Sequence, residues 1–226
     1  MVSKKIIDLI KEIQNEALFK DHILVGGTAL ALQLDHRTST DIDLFTTKTQ
    51  SAVAIIDFFN KNYKNVRVEA GEDKFTRIFI NDIKIELVEY NEKLIEEPVN
   101  KDGIRMAGLN EIAAMKLEAM RTRTEARDFI DIAYLLKEIT LEKMFELYKK
   151  KFDTISPLYM KRTLLNKSKS IKENEWLVGG IIMLKDDIQP KDVPAIIEKA
   201  IEIYNNEKKI VIQNDPLINS QYSDSE

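Results

Sequence analysis

Asp41 and Asp43 stand two positions apart in Asp41-Ile42-Asp43-Leu44-Phe45, where acidic and apolar side chains alternate. A period of two marks a strand with one polar and one buried face, so both carboxylates point to the same side, about 6–7 Å apart along the backbone. Two acids on one face repel each other unless a cation joins them. Mg²⁺ suits the pair because it takes hard oxygen ligands at about 2.1 Å, usually one or two carboxylates with phosphate oxygens and water. Thirteen residues separate Asp41 from Gly26-Gly27, which close the short apolar run His22–Val25. Glycines between a strand and a helix start allow close backbone approach and leave free N–H groups aimed at an anion. A phosphate-binding turn beside a metal-binding pair of acids implies a nucleoside triphosphate.

The surrounding elements can be read from the same periodicities. Ser3 to about Phe19 carries Ile6, Leu9, Ile10, Ile13 and Ala17 near a 3.6-residue repeat, a helix. His22–Val25 reads as a strand, with Thr28 capping a helix over Ala29–Leu34. A further helix spans Gln50 to about Lys61, followed by strands at Val66–Glu69, Phe75–Ile80 and Ile83–Val88. Asn81-Asp82 makes a tight turn between the last two, so the three form a mainly antiparallel extension of the sheet. From about Leu109 helix formers dominate, with periodic runs at 110–121, 125–138, 141–150, 158–172 and 191–206. Pro98 and Gly103 punctuate the join. The expected division is a catalytic domain over 1–100, a helical domain over 101–212 and a disordered polar tail over 213–226. Leu-Val-Gly-Gly recurs at 177–180 without a following acid-apolar-acid strand, which reads as chance or a turn.

Composition removes several classes of chemistry. The 226 residues include no cysteine, which excludes disulfides, thiolate catalysis and Cys-based metal sites, and His22 and His36 are too few for a His-rich centre. Net charge is −4, so a nucleic-acid surface must be a local patch. No run approaches about 18 apolar residues, and the charges in Met1-Val2-Ser3-Lys4-Lys5 and beyond break up a signal-peptide core, so a cytoplasmic protein without a membrane partner is expected.

The order apolar-Gly-Gly, spacer, Asp-apolar-Asp-apolar resembles the first motif of the DNA polymerase beta-type nucleotidyltransferases. The resemblance implies a third acid on a neighbouring strand, and Glu86 in Ile83-Lys84-Ile85-Glu86-Leu87 matches it. Asp82 sits in the turn and Glu89 would face the other way. Two later stretches, Lys116-Leu117-Glu118-Ala119-Met120-Arg121-Thr122-Arg123 and Ala126-Arg127-Asp128-Phe129-Ile130-Asp131, are similar to the later motifs of the AbiEii-type branch, the nucleotidyltransferase toxins of type IV toxin-antitoxin systems. What the branch implies is an α+β fold: a mixed sheet with helices followed by a helical domain. It implies catalytic and metal-binding roles for Asp41, Asp43 and Glu86, with two Mg²⁺ ions or Mn²⁺ in their place. Gly26, Gly27 and Thr28 would meet phosphate, and Lys116 with Asp128, or Asp131 in its stead, would hold the nucleotide. Position 27 is Gly where many relatives carry Ser, which leaves Thr28 as the nearest hydroxyl. The implied reaction moves a nucleoside monophosphate from an NTP to an acceptor hydroxyl, with RNA, a tRNA 3′ end foremost, as acceptor and a cognate antitoxin as partner.

Several readings stay open on sequence alone. The same scaffold could bind nucleotide or RNA without catalysis, or hydrolyse phosphate esters with the same acids. Arg37 could meet phosphate or pair with Asp35, and Arg121, Arg123 and Arg127 could contact substrate or form a salt-bridged face with Glu118, Glu125 and Asp131. The basic run Lys161, Arg162, Lys167, Lys169 and Lys172 could be a solvated helix face or a track for an RNA backbone. His22 and His36 read as surface or packing residues.

Overall fold

In a computed structural model, which describes residues 1–152, 156–176 and 181–213, the apolar periodicities become one mixed sheet and a set of packed helices. The repeat of apolar positions in the first segment gives α1 (Lys4–Asn15), preceded by Ser3, whose hydroxyl accepts from Ile6 N–H, and with Ile6, Leu9, Ile10 and Ile13 buried. The chain then runs through β1 (Ile23–Leu24), α2 (Gly26–Leu34), β2 (Ile42–Thr46) and α3 (Ala52–Asn62). β3 (Val66–Glu72), β4 (Phe75–Ile80) and β5 (Ile83–Glu89) form the expected antiparallel meander. Asn81 turns the β4–β5 hairpin with φ +53, a conformation that asparagine tolerates.

The sheet order is β3-β4-β5-β2-β1, continued by β6 (Val99–Lys101) and β7 (Ile104–Met106). β5 joins β2 in parallel and β7 joins β1 in parallel, so the sheet is mixed and reaches past residue 100. β6 and β7 have no counterpart among the strands expected from sequence. Each is three residues long, too short to show alternation, although Asp102-Gly103 between them carries the positive φ angles of a hairpin turn. Thr28 is not the helix cap that the sequence suggested. Gly26 adopts φ +70, which lets the chain pass from β1 directly into α2 three residues earlier and leaves Thr28 inside its first turn.

The second half follows its periodicity closely: α4 (Leu109–Thr122), α5 (Ala126–Glu138), α6 (Leu141–Phe152), α7 (Pro157–Ser170) and α8 (Val193–Gln213). α4 packs on α2, α5, α6 and α7, with Leu117, Met120, Phe129 and Ile130 wholly buried, so sheet and helices share one apolar cluster. Residues 177–180 and the tail after 213, for which a turn and disorder were expected, lie outside the described residues. No helix among the described residues is long and apolar enough to cross a membrane.

Gln14, 2% exposed on α1, ties the helix to the sheet at β7. Its amide donates to Arg105 O at 2.8 Å and its Oε1 accepts from Arg105 N–H at 2.9 Å. Gln14→Leu leaves both backbone groups of Arg105 without these partners, and urea unfolding should register a loss of about 1–3 kcal/mol with an unchanged slope.

Candidate active site

The cleft forms where β1, β2 and β5 meet the start of α2. Val25 N–H donates to Asp43 O at 2.9 Å, which brings the β1–α2 turn against the acids. Gly26 is required there twice over: its φ is +70, and a Cβ would lie 2.7 Å from Asp43 Oδ2. On the other side, the parallel register sets Asp43 opposite Glu86. Two residues back along the two strands stand Asp41 and Lys84, so acids and one lysine share a face. The cleft is small, about 90 Å³, and Gly26, Gly27, Arg37, Lys116, Arg123 and Arg127 line it together with the acids. As the leading residues of α2, Gly26 and Gly27 carry N–H groups without intrahelical acceptors.

These acids do not share one environment. Burial and then the charge of Glu86 push the Asp43 carboxyl up to about 7, and its buried Oδ1 has no hydrogen-bond partner among the described residues. Asp41 Oδ2 lies 3.1 Å from Lys84 Nζ and 3.6 Å from Arg127 Nη1. Glu86 Oε1 accepts from Arg77 Nε at 2.7 Å and lies 3.7 Å from Lys84 Nζ. Protein cations thus occupy the space between the carboxylates, and among the described residues no three acid or histidine side chains close around a common point that could hold a metal ion. The donor chemistry nevertheless fits a divalent cation: three carboxylates at two adjoining strands offer hard oxygens, one of them buried and without a partner among the described residues.

Beside the acids lies a buried charged network. Asp128 and Asp131, both 0% exposed, project from α5 one turn apart. Lys116 Nζ on α4 reaches both, Asp131 Oδ2 at 2.6 Å and Asp128 Oδ1 at 2.9 Å. Arg37 forks onto Asp131 with 2.7 and 2.8 Å bonds, and His36 Nε2 donates to the same carboxylate at 2.7 Å. Arg123 donates to Asp128 through Nε and Nη2. Burial alone would raise Asp131, but Lys116 and Arg37 hold it well below the usual carboxylate range, and Lys116 with Arg123 does the same, less strongly, for Asp128.

The structure therefore gathers Asp41, Asp43, Glu86, Gly26, Gly27 and Lys116 at one cleft. Asp128 and Asp131 sit behind it, each in contact with Lys116. Thr28 is buried, and its hydroxyl is engaged with Ser39 and the Asp41 carbonyl. Of the open readings, Arg37 pairs with Asp131, not Asp35, while still lining the cleft. Arg121 pairs with Glu118, whereas Arg123 and Arg127 face the cleft. His36 is a buried member of the network and His22 a buried partner of Gln50, so neither is a surface residue. Gly27 has a reason of its own: a Cβ there would collide with Arg37 Nη2, which the fork onto Asp131 holds in place. In the basic run, Lys167 donates to the carbonyls of Met120, Arg121 and Arg123 at the end of α4, Lys169 pairs with Glu198, and Lys161 bonds Asn205. These three lysines brace helices. Lys84 was passed over, although its alternation with Glu86 in a strand was the available signal.

Residues 8–192 match the family profile described as nucleotidyl transferase AbiEii toxin, type IV TA system. An uncharacterized protein of Aquifex aeolicus, aq_aa25, is 32% identical over 170 residues, covering 65% of this chain and 77% of its own length. Among solved structures, JHP933 from Helicobacter pylori superposes with TM-score 0.57 at 19% identity, covering 98% of this chain and 100% of that one. A second H. pylori protein, provisionally described as a nucleotidyltransferase, gives TM-score 0.54 at 19% identity over 92% of this chain and 98% of that one. At that identity the two structures speak for the fold.

Asp131→Asn leaves Lys116 and Arg37 buried with one carboxylate fewer, and unfolding should show a loss of about 3–5 kcal/mol near neutral pH. Because Asp131 titrates lower folded than unfolded, its contribution is complete above its unfolded value of about 3.9 and fades as pH falls through the depressed one. The difference between wild type and variant should accordingly narrow below about pH 4, as read by denaturant unfolding across pH. Lys84→Met removes a cation from among the acids. In EDTA its Tm should fall by about 2–4 °C, the shift that roughly 1 kcal/mol produces at this chain length, and Mg²⁺ should raise the variant's Tm more than the wild type's.

Proposed function

Since the chain belongs to the AbiEii family of nucleotidyl transferase toxins of type IV toxin-antitoxin systems, we propose that it transfers a nucleoside monophosphate from an NTP to an acceptor hydroxyl at the cleft between β2, β5 and α2. The observation that carries this reading is the register of Asp43 against Glu86 beside a glycine turn whose backbone Asp43 touches. Within the 1–100 segment Asp41, Asp43 and Glu86 would hold Mg²⁺, two ions in full occupancy or Mn²⁺ in their place. When bound, the metal would sharpen the acceptor oxygen as a nucleophile and neutralise charge on the departing pyrophosphate.

The chain's own groups account for positioning. The free N–H groups of Gly26 and Gly27 would receive the β- and γ-phosphate oxygens at the α2 N-terminus. Lys116, Arg37 and Arg123 would add positive charge from the helical half, held at fixed distance by Asp128 and Asp131. In the transfer, the acceptor oxygen bonds the α-phosphorus, the bond from that phosphorus to the bridging oxygen of the β-phosphate breaks, and pyrophosphate leaves. The acceptor proton passes to a carboxylate of the cluster. RNA, a tRNA 3′ end foremost, is the acceptor this reading favours, in the cytoplasm and under the control of a cognate antitoxin.

Incubating each α-labelled NTP with total cellular RNA and Mg²⁺ should put label into RNA and release pyrophosphate. Asp43→Ala, with melting checked, should reduce transfer by roughly 10²-fold or more, the scale of removing one charge-stabilising group from an active site. Equal incorporation by both proteins overturns the assignment of the acids. Binding of NTP with no transfer to any acceptor points to a non-catalytic nucleotide-binding protein, and NTP consumption without acceptor points to a hydrolase.

A further inference from the structure

A larger cavity, about 520 Å³, adjoins the acid cleft, and Arg127 lines both, with Nη1 3.6 Å from Asp41 and Nη2 2.7 Å from Glu125. A different cavity, of about 300 Å³, shares no lining residue with either. It opens where the sheet meets the connection from β5 to β6. Ile23 on β1 pairs with Phe45 on β2, and Arg105 stands one residue before Met106, the β7 partner of Leu24, so the three form one row across the sheet. Tyr90 follows β5, and its ring lies against Phe45 with the centroids 5.0 Å apart. Phe45 comes two positions after Asp43 on β2, so this cavity and the acids occupy the same side of the sheet, roughly 6–7 Å apart along the strand.

The charges around this cavity are not matched by the protein. Lys20, Lys48 and Arg105 line it against Asp21 and Glu97, three cations to two acids, and none of the five comes within ion-pair distance of an opposite charge among the described residues. Arg105 is the best placed of them. Its Nη2 donates to Gln14 O at 2.8 Å and to Phe19 O at 3.1 Å, and its buried Nε has no hydrogen-bond partner among the described residues. Carbonyl dipoles thus orient this guanidinium without cancelling its charge, so an anion entering the cavity meets a cation already held in place. We propose that the cavity binds a small organic monoanion, a carboxylate on an apolar or aromatic body. Ile23, Leu94, Pro98 and the Phe45–Tyr90 ring pair supply surface for the body, and the volume stands at the lower end of the roughly 300–1,000 Å³ that small ligands occupy. A polyphosphate fits less well, because Asp21 and Glu97 would repel its several charges and only one cation is in excess. Such a carboxylate could be a free acid or the C-terminal residue of a peptide, and the same groups would receive either. The cavity stands apart from the transfer reading, since it shares no residue with the acid cleft.

The test is isothermal titration of the full chain with phenylacetate and hexanoate, each against its uncharged amide, with inorganic phosphate, and with a tripeptide ending in phenylalanine whose terminus is free or amidated. Wild type should bind at least one acid about tenfold or more tightly than its amide and than phosphate. Arg105→Met removes the anchoring cation, and Lys48→Glu reverses an exposed one whose side chain makes no bond among the described residues. Each should cost about tenfold or more in affinity for the acids and leave the binding of tripolyphosphate with Mg²⁺ as in wild type. Thermal melting checks that both fold, and Lys48→Glu decides the matter if Arg105→Met does not. Tighter binding of the tripeptide acid than of phenylacetate identifies a peptide terminus as the source, and the reverse order identifies a free acid. Should neither acid be preferred over its amide and over phosphate, or should the variants bind the acids as wild type does, the proposal is overturned and the transfer reading is untouched.

Discussion

Two fully buried carboxylates must be neutralised by cations that reach them through the protein, and Asp128 and Asp131 impose that requirement on the whole chain. Their partners come from three places: Lys116 from α4, Arg123 from the α4–α5 connection, and Arg37 with His36 from the loop after α2. Satisfying one pair of acids therefore fixes the helical half on the sheet half. The apolar contacts of α4 with α2 and α5 set the distance, and the ion network sets the register, because a fork onto a carboxylate tolerates little sliding. Lys116, Arg37 and Arg123 face Asp128 and Asp131, with Glu125 3.8 Å from Arg123, and the three cations also line the cleft beside Gly26 and Gly27.

The acid cluster across the cleft is compensated in a different way. Asp41, Asp43 and Glu86 are brought together by the β2–β5 register, and Lys84, Arg77 and Arg127 lie against them from exposed or half-buried positions. Here the compensating cations are long, partly exposed side chains, and their ion pairs are individually weak. The contrast separates the two clusters by what they can do. Behind Lys116 the charges are locked by burial, whereas between β2 and β5 the pairing cations are partly exposed. Gly26 belongs to this cluster as much as to the turn, since any side chain at that position would displace Asp43.

The elements that position the cleft were legible in the sequence because each is long enough to show its period. The alternation through Asp41–Phe45 and Ile83–Val88, and the helical repeats from residue 110 onward, placed nearly every strand and helix within a few residues. β6 and β7 were not legible, since three residues cannot display a period and Gly103 reads equally well as a boundary. Within the site, residues carried by local pattern were found, and residues defined by contact were not. Arg37 and His36 reach Asp131 across 94 and 95 positions, and nothing local distinguishes that from a pairing with Asp35. The departure at Gly27, which looked like a weakness in the family pattern, follows from the same long-range contact, because Arg37 occupies the space a serine side chain would need.

Arg127 shows how the two halves meet in one side chain. It stands on the first turn of α5, one residue before Asp128, so the network that anchors Asp128 also fixes where the Arg127 backbone lies. From there its guanidinium spans Asp41 on the sheet and Glu125 beside the larger cavity. A shift of α5 by even one residue would carry Asp128 away from Lys116 and Arg127 away from Asp41 at once. Alignment of the cleft's cations, the acids and the adjoining cavity is thus one geometric condition, enforced by burying two carboxylates where only a correctly seated α4 and α2 loop can answer their charge.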